Sequence, residues 1–386
     1  MDILQMLNAP TAEERLNNLQ LCLQQETQKP AVSDTFVNNH IHTTFSFSPY
    51  SPTAAVWFAR QATLPTAGIM DHDSMAGARE FIRAGELAGV ATTVGIECRV
   101  RMDGTGLEDR YINNTDQKGL AYMSLHGVPH GQIDTVQQFF APLREKRSQR
   151  NRKMVQNIND LLCAHGIALD YDADVLPLSE AKNGGSVTER HLIFALSRRI
   201  TDVCSRENVA AFLEQTLQLP LSDKQKAFLT DDDNPFFLYD LLGVLKTAFV
   251  SRIYVPADAE CLSAAQLSAL AKQTDALLCY AYLGDVGESV TGDKRSGRFE
   301  DWYLEELFSV LRTFDVDAIT YMPSRNSRAQ LDRVRALCEQ TGFLQISGED
   351  INSPRQSFIC PQLADPAFRN LVDATWALIE REKIRS

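Results

Sequence analysis

The chain has 386 residues, with 50 acidic against 38 basic side chains, a formal net charge of −12 and a hydrophobic content of 44%. That length allows one large α/β domain with an insertion, or two domains, and that composition excludes a disordered or fibrous chain. The acidic balance argues against general affinity for nucleic-acid backbones, which is carried by clustered Lys and Arg.

The N-terminal stretch 1–30 is predicted to be helical: Thr11 and Glu14 form a capping box, and Leu16, Leu19 and Leu23 recur at helical spacing. Residues 1–34 are an N-terminal arm. Its acids and amphipathic pattern differ from the basic start and apolar core of a signal peptide. No run reaches the roughly 20 apolar residues of a membrane span. The eight cysteines include no CxxC pair, so neither a disulfide framework nor a zinc knuckle is indicated. A cytoplasmic, reduced protein is expected.

From Thr35 a short strand is predicted to end in His40-Ile41-His42. A helix over 52–62, a strand over 66–70, a helix over 76–88 and a strand over 91–100 follow. This β/α alternation implies a parallel sheet or barrel, with 35–133 as its first part. Residues 134–275 are dominated by helical patterns (136–165, 189–200 and 209–217) and read as an inserted helical subdomain. Its basic cluster of Arg144, Lys146, Arg147, Arg150, Arg152 and Lys153 reads as a solvated helix face. The β/α rhythm returns in 276–386, with strands over 276–283, 318–321 and 343–347 and helices over 299–313 and 328–341. There is no internal repeat.

Chemistry-bearing residues fall at the predicted strand ends. In a strand, i and i+2 face one side, so His40 and His42 present two imidazoles together. His72 follows the second strand, His126 sits in an apolar run, and Glu97 and Asp350 lie at or just after apolar runs, where a carboxylate calls for a charged partner or a metal. Together they form a mixed N/O donor set suited to Zn, Mn or Fe.

These motifs resemble the PHP (polymerase and histidinol phosphatase) phosphoesterases, whose pattern opens with HxHTxxSDG, continues with TDHD and GVE, and closes with HP and GSDxH. The corresponding residues are His40 to Ser46, Met70 to Asp73, Gly95 to Glu97, Met322-Pro323 and Gly348 to Asn352. The resemblance covers 35–130 and 276–355. It implies a distorted (β/α)7 barrel with up to three divalent metals. By this resemblance His40, His42, Glu97 and Asp350 would hold one metal, Glu97 would bridge to a second that also takes His126, and His72 would belong to a third. Three family ligands are replaced, by Phe47, Met322 and Asn352, so the third site is expected to be empty and one or two metals per chain are expected. His72 would then persist as an acid/base or hydrogen-bonding group oriented by Asp71, and Asn352 could still offer a carbonyl oxygen.

Arg190 and His191, at a GRxH-like helix start in the insertion, are candidates for substrate phosphate, as are Arg325 and Arg355. Asp285, in the Gly-rich stretch 280–294, is a candidate to replace or orient a lost ligand. The reading is a metal-dependent phosphoesterase of a small phosphorylated metabolite or nucleotide. An amidohydrolase acting on C–N bonds, and a non-catalytic relative that binds metal or ligand, are the alternatives.

Overall fold

The computed structural model describes residues 2–27, 29–285 and 299–385. Its sheet is built from β1 (Thr66–His72), β2 (Ala91–Arg101), β3 (Leu120–His126), the two-residue β4 (Leu262–Ser263), β5 (Leu277–Ala281), β6 (Ala318–Tyr321) and β7 (Leu344–Ser347). The order is β1-β2-β3-β5-β6-β7, with β4 on the far end of β2. The stretch predicted as a first strand is extended chain joined by a single residue: Ile41 bridges in parallel to Ile69 of β1 and to Ile351 beyond β7. That seam closes the curled sheet into a distorted barrel.

Two glycines permit the seam. A Cβ on Gly68 would lie 2.6 Å from the Asn39 Cα, and one on Gly348 would lie 2.6 Å from the His40 Cβ. Residues 39 and 40 are thus wedged between two positions where any side chain would collide with them. His40 and His42 leave this wedge towards the C-terminal ends of the neighbouring strands.

One expectation of a parallel sheet is corrected. β3 is antiparallel to both β2 and β5, because the β2–β3 connection, 102–119, contains no helix, and a parallel neighbour needs a crossover of a dozen or more residues, usually helical. Ser124 therefore pairs with Glu97, and His126, two residues further on the same inward face, lies deeper in the barrel.

The N-terminal arm is two helices and not one, Ile3–Leu7 and Ala12–Gln25. Asn8 breaks it, bonding Pro49 O at 2.7 Å and accepting from Ser51 N at 2.8 Å. Thr11 and Glu14 form the expected capping box. The helices Pro52–Gln61, Ala78–Ala88, Leu304–Thr313 and Arg328–Thr341 match their predicted positions to within a few residues. A C-terminal helix that the sequence reading did not assign, Arg369–Ile384, packs on β2 and β7, where Glu382 accepts from Thr93 Oγ1 and from Val94 N.

Among the described residues there are two large apolar cores. The first fills and surrounds the barrel; the second joins residues from Met154 to Ile253 and takes in Phe47. The 30-residue helix Ile133–Leu162 belongs to both, giving Ile133, Val136 and Phe140 to the barrel core and Met154, Ile158 and Leu162 to the second. The helix Ala264–Thr274 packs in the barrel core, so the independently packed insertion is narrower than 134–275. Among the described residues no helix is long and apolar enough to cross a membrane.

Candidate metal centre

The His40, His42 and Glu97 side chains converge, with one ligand atom of each lying within 4.8 Å of the others. The closed seam brings the two histidines over β2, which carries Glu97 on its inward face, level with His72 at the end of β1. Around this trio, His42 Nε2 is 3.2 Å from Asp350 Oδ1 and His72 Nδ1 is 3.1 Å from Glu97 Oε2. The His42 and His72 rings are 4.6 Å apart.

Electrostatics fit a cation here. Burial alone would lower the His40 pKa, but the charge and hydrogen bond of Glu97, then Asp350, outweigh it and hold it above its ordinary value. Burial pushes the Asp350 carboxyl up, yet His42 and His40 bring it well below the usual carboxylate range. The His72 ring goes the other way: burial, then His42 and Arg147, hold it neutral. His126 is lowered to about 3, mainly by burial and then by His40, and its Nε2 is buried without a hydrogen-bond partner. A field that favours a proton on one imidazole also favours a divalent ion, and an orphaned imidazole nitrogen is a ligand in waiting. The donors present suit a borderline divalent metal.

Asp71 does something other than orient His72. Its buried carboxylate accepts from Thr43 N at 2.7 Å, Thr43 Oγ1 at 2.6 Å and Ser46 Oγ at 2.6 Å, and Ser46 Oγ lies 3.2 Å from His42 Nδ1. It holds the turn after His42, and through Ser46 it fixes that ring. Burial raises the Asp71 pKa, and the His42 charge and the hydroxyl bonds oppose the rise.

Above the cluster opens a cleft that Arg190 and Arg325 both line. Met322 and Asn352 line it too; Asn352 Nδ2 donates to Asp350 Oδ1 at 2.7 Å and its Oδ1 is buried without a partner.

Three assignments are corrected. His191 does not line the cleft: its Nδ1 accepts from Thr188 N at 3.0 Å as part of a capping box, its ring packs 5.1 Å from Phe47, and burial lowers its pKa to about 3. Arg355 is a clamp, chelating Asp240 at 2.7 and 2.8 Å and lying 4.1 Å over the Phe228 ring, which ties the loop after β7 to the insertion. Asp285 accepts from Phe299 N at 2.8 Å and its own N–H donates to Asp301, so it shapes its loop and is not among the residues lining the cleft; the rest of the Gly-rich stretch, 286–294, lies outside the described residues.

Phe47, standing where the resemblance has a carboxylate ligand, points into the second core against His191, Phe194 and Tyr239. Its φ of 124° is rare for a residue with a side chain and is sustained by that burial and by the Phe47 N to Thr43 O bond at 3.1 Å.

The sequence reading missed the 113–122 wall of the cleft, where Asn113, Asn114, Asp116 and Tyr122 stand. The only signal was the pair of adjacent asparagines in a connection without helix.

Residues 38–168 match the family model of the PHP domain. No curated protein matches the chain. Solved structures do: a protein from Bifidobacterium adolescentis, provisionally assigned as a metal-dependent phosphoesterase, has a TM-score of 0.54 at 16% identity and covers 89% of this chain and 98% of its own. An amidohydrolase from Chromobacterium violaceum, with bound sulfate and no metal, has a TM-score of 0.55 at 16% identity and covers 88% and 96%. At that identity they share the fold.

Proposed function

Starting from a chain whose residues 38–168 match the PHP domain, we propose that this protein is a metal-dependent phosphoesterase acting on a small phosphorylated metabolite or nucleotide. The observation that carries the reading is the convergence of His40, His42 and Glu97 beside a cleft that also takes in two arginines. His40, His42, Glu97 and Asp350 would hold one divalent ion (Zn, Mn or Fe), and Glu97 with His126 would contribute to a second. Bound there, such an ion supplies a nucleophilic hydroxide from water at neutral pH and positive charge for the phosphoryl oxygens.

The chain's own groups do the rest. Arg190 and Arg325 present guanidinium groups, suited to bidentate contact with phosphoryl oxygens. Asp71, through Ser46, fixes the His42 ring. His72, kept neutral beside Glu97, can orient that carboxylate or pass a proton. A second phosphate-binding role for His191 or Arg355 is not supported.

The test is elemental analysis of the purified protein and of Glu97→Gln, with an assay over phosphoester and C–N substrates. Divalent metal is expected in the wild type, at least tenfold less in the variant, with phosphate release by the wild type alone. Equal metal in both, or C–N cleavage without phosphate release, would replace this reading.

A further inference from the structure

The wall formed by 113–122 has the marks of a recognition surface that the metal cluster and the arginines do not explain. Asn113 is a clamp: its Nδ2 donates to Tyr122 O at 2.9 Å and to Ala281 O at 2.6 Å, and its Oδ1 accepts from Tyr122 N at 2.7 Å. The connection is thereby stapled to β3 and β5. The next residue, Asn114, is 1% exposed and lines the cleft. Its Oδ1 accepts from Asp116 N at 2.9 Å, which sets the orientation of the amide, and its Nδ2 is buried with no hydrogen-bond partner. A donor left unpaired in a native interior is costly, so it calls for an acceptor brought by something else.

Tyr122 stands beside it. Its position on β3 is opposite Arg99 of β2 and two residues before Ser124, which pairs with Glu97, so its side chain shares the inward face with the metal cluster. The ring is 6.1 Å from that of His72 and the side chain lines the cleft. The hydroxyl makes no hydrogen bond among the described residues. Burial holds the phenol well above its ordinary pKa; Arg99 opposes this and Glu189, Asp116 and Glu97 reinforce it. The phenol is therefore a standing donor. Its O–H and the Asn114 amide N–H both offer hydrogens to oxygen acceptors on a ligand in the cleft.

We propose that Asn114 and Tyr122 form a subsite for the organic part of the substrate, donating hydrogen bonds to hydroxyl or carbonyl oxygens of a neutral, sugar-like group whose phosphate lies on the metal side of the cleft. The inference rests on the phosphoesterase reading for the position of that phosphate. It makes both side chains specificity-determining residues, because a buried donor left unpaired by a substrate lacking the oxygen penalises that substrate.

The experiment compares ribose 5-phosphate, 2-deoxyribose 5-phosphate and methyl phosphate on the full-length wild type, Tyr122→Phe and Asn114→Ala. The wild type is expected to favour ribose 5-phosphate over methyl phosphate by at least tenfold in kcat/KM, and each variant to reduce that ratio at least tenfold. Tyr122→Phe removes one oxygen and keeps the ring, so its fold is secure if Asn114→Ala proves unstable. An unchanged ratio, or an equal loss on both substrates, overturns the subsite while leaving the phosphoesterase reading intact. If the wild type hydrolyses no phosphoester, that reading fails by itself. Calorimetry of chelator-treated protein then decides the subsite: ribose 5-phosphate binding tighter than inorganic phosphate in the wild type but not in Tyr122→Phe supports it, and equal binding overturns it.

Discussion

Asp71 shows how much a single side chain decides at this centre. It is fully buried and accepts three hydrogen bonds, two from Thr43 and one from Ser46. Asn at this position would present an NH2 to one of those donors, so a buried donor would lose its partner, at a cost of about 1–3 kcal/mol. Because Ser46 also touches His42 Nδ1, the loss travels to a ring of the candidate metal centre. We expect Asp71→Asn to lower stability by about 2 kcal/mol in urea denaturation and metal affinity by roughly 10- to 100-fold in competition titration. Unchanged metal affinity would show that His42 is held by the seam alone.

At the level of elements, the helix Glu189–Cys204 carries an unusual cap, with His191 at the third position where Glu or Gln is usual. Its ring is buried against Phe47, and its pKa is lowered to about 3. The sign follows directly. The unfolded chain takes up a proton near pH 6.5 that the folded state refuses until about 3, so this residue withdraws stability as pH falls between those values and has no effect above them. At 1.36 kcal/mol per unit, the loss between pH 7 and pH 5 is at most about 2 kcal/mol. His191→Gln keeps the capping acceptor and removes the titration. Urea denaturation should therefore show the wild type losing about 1–2 kcal/mol more than the variant over that range; parallel losses would show that the ring is solvated.

The whole molecule is held together by an ion network between the barrel and the insertion. Arg147 pairs with Asp73 at 2.9 Å and Glu260 at 3.2 Å, Arg150 pairs with Glu189 at 2.6 Å, and Arg99 of β2 reaches both Glu189 and Glu260. These six side chains are three cations and three anions, nearly all buried, so each charge depends on the others. The network also touches the site: Asp73 N donates to Glu97 O at 2.9 Å, and Glu189 lines the cleft beside Arg190. Removing one partner strands a buried charge, so Arg147→Ala should cost about 3–5 kcal/mol in urea denaturation. Arg152→Ala, breaking an exposed pair with Asp172, should cost less than about 1 kcal/mol. Similar values for the two would mean that the buried network is hydrated.

The sequence by itself determined the periodic elements and pointed to the candidate trio of His40, His42 and Glu97. Helix caps and apolar spacing are local, and the i, i+2 geometry of His40 and His42 needs no partner to be read. The conversion of Arg147 and Arg150 from an expected solvated face into buried ion partners could not be read this way, because burial depends on what packs across from a residue. The same reason explains β3, whose direction is set by the missing crossover, and Phe47 and His191, whose rings meet only once the insertion docks on the barrel. Arg355 and Asp285 look free along the chain and acquire their partners from segments far from the metal motifs. What tertiary structure decided, then, was every pairing between distant residues: which cations face the cleft, which are consumed by carboxylates, and which wall of the cleft carries unpaired donors. Sequence spacing encodes the direction of a side chain relative to its own backbone, and only closure of the barrel fixes what stands opposite.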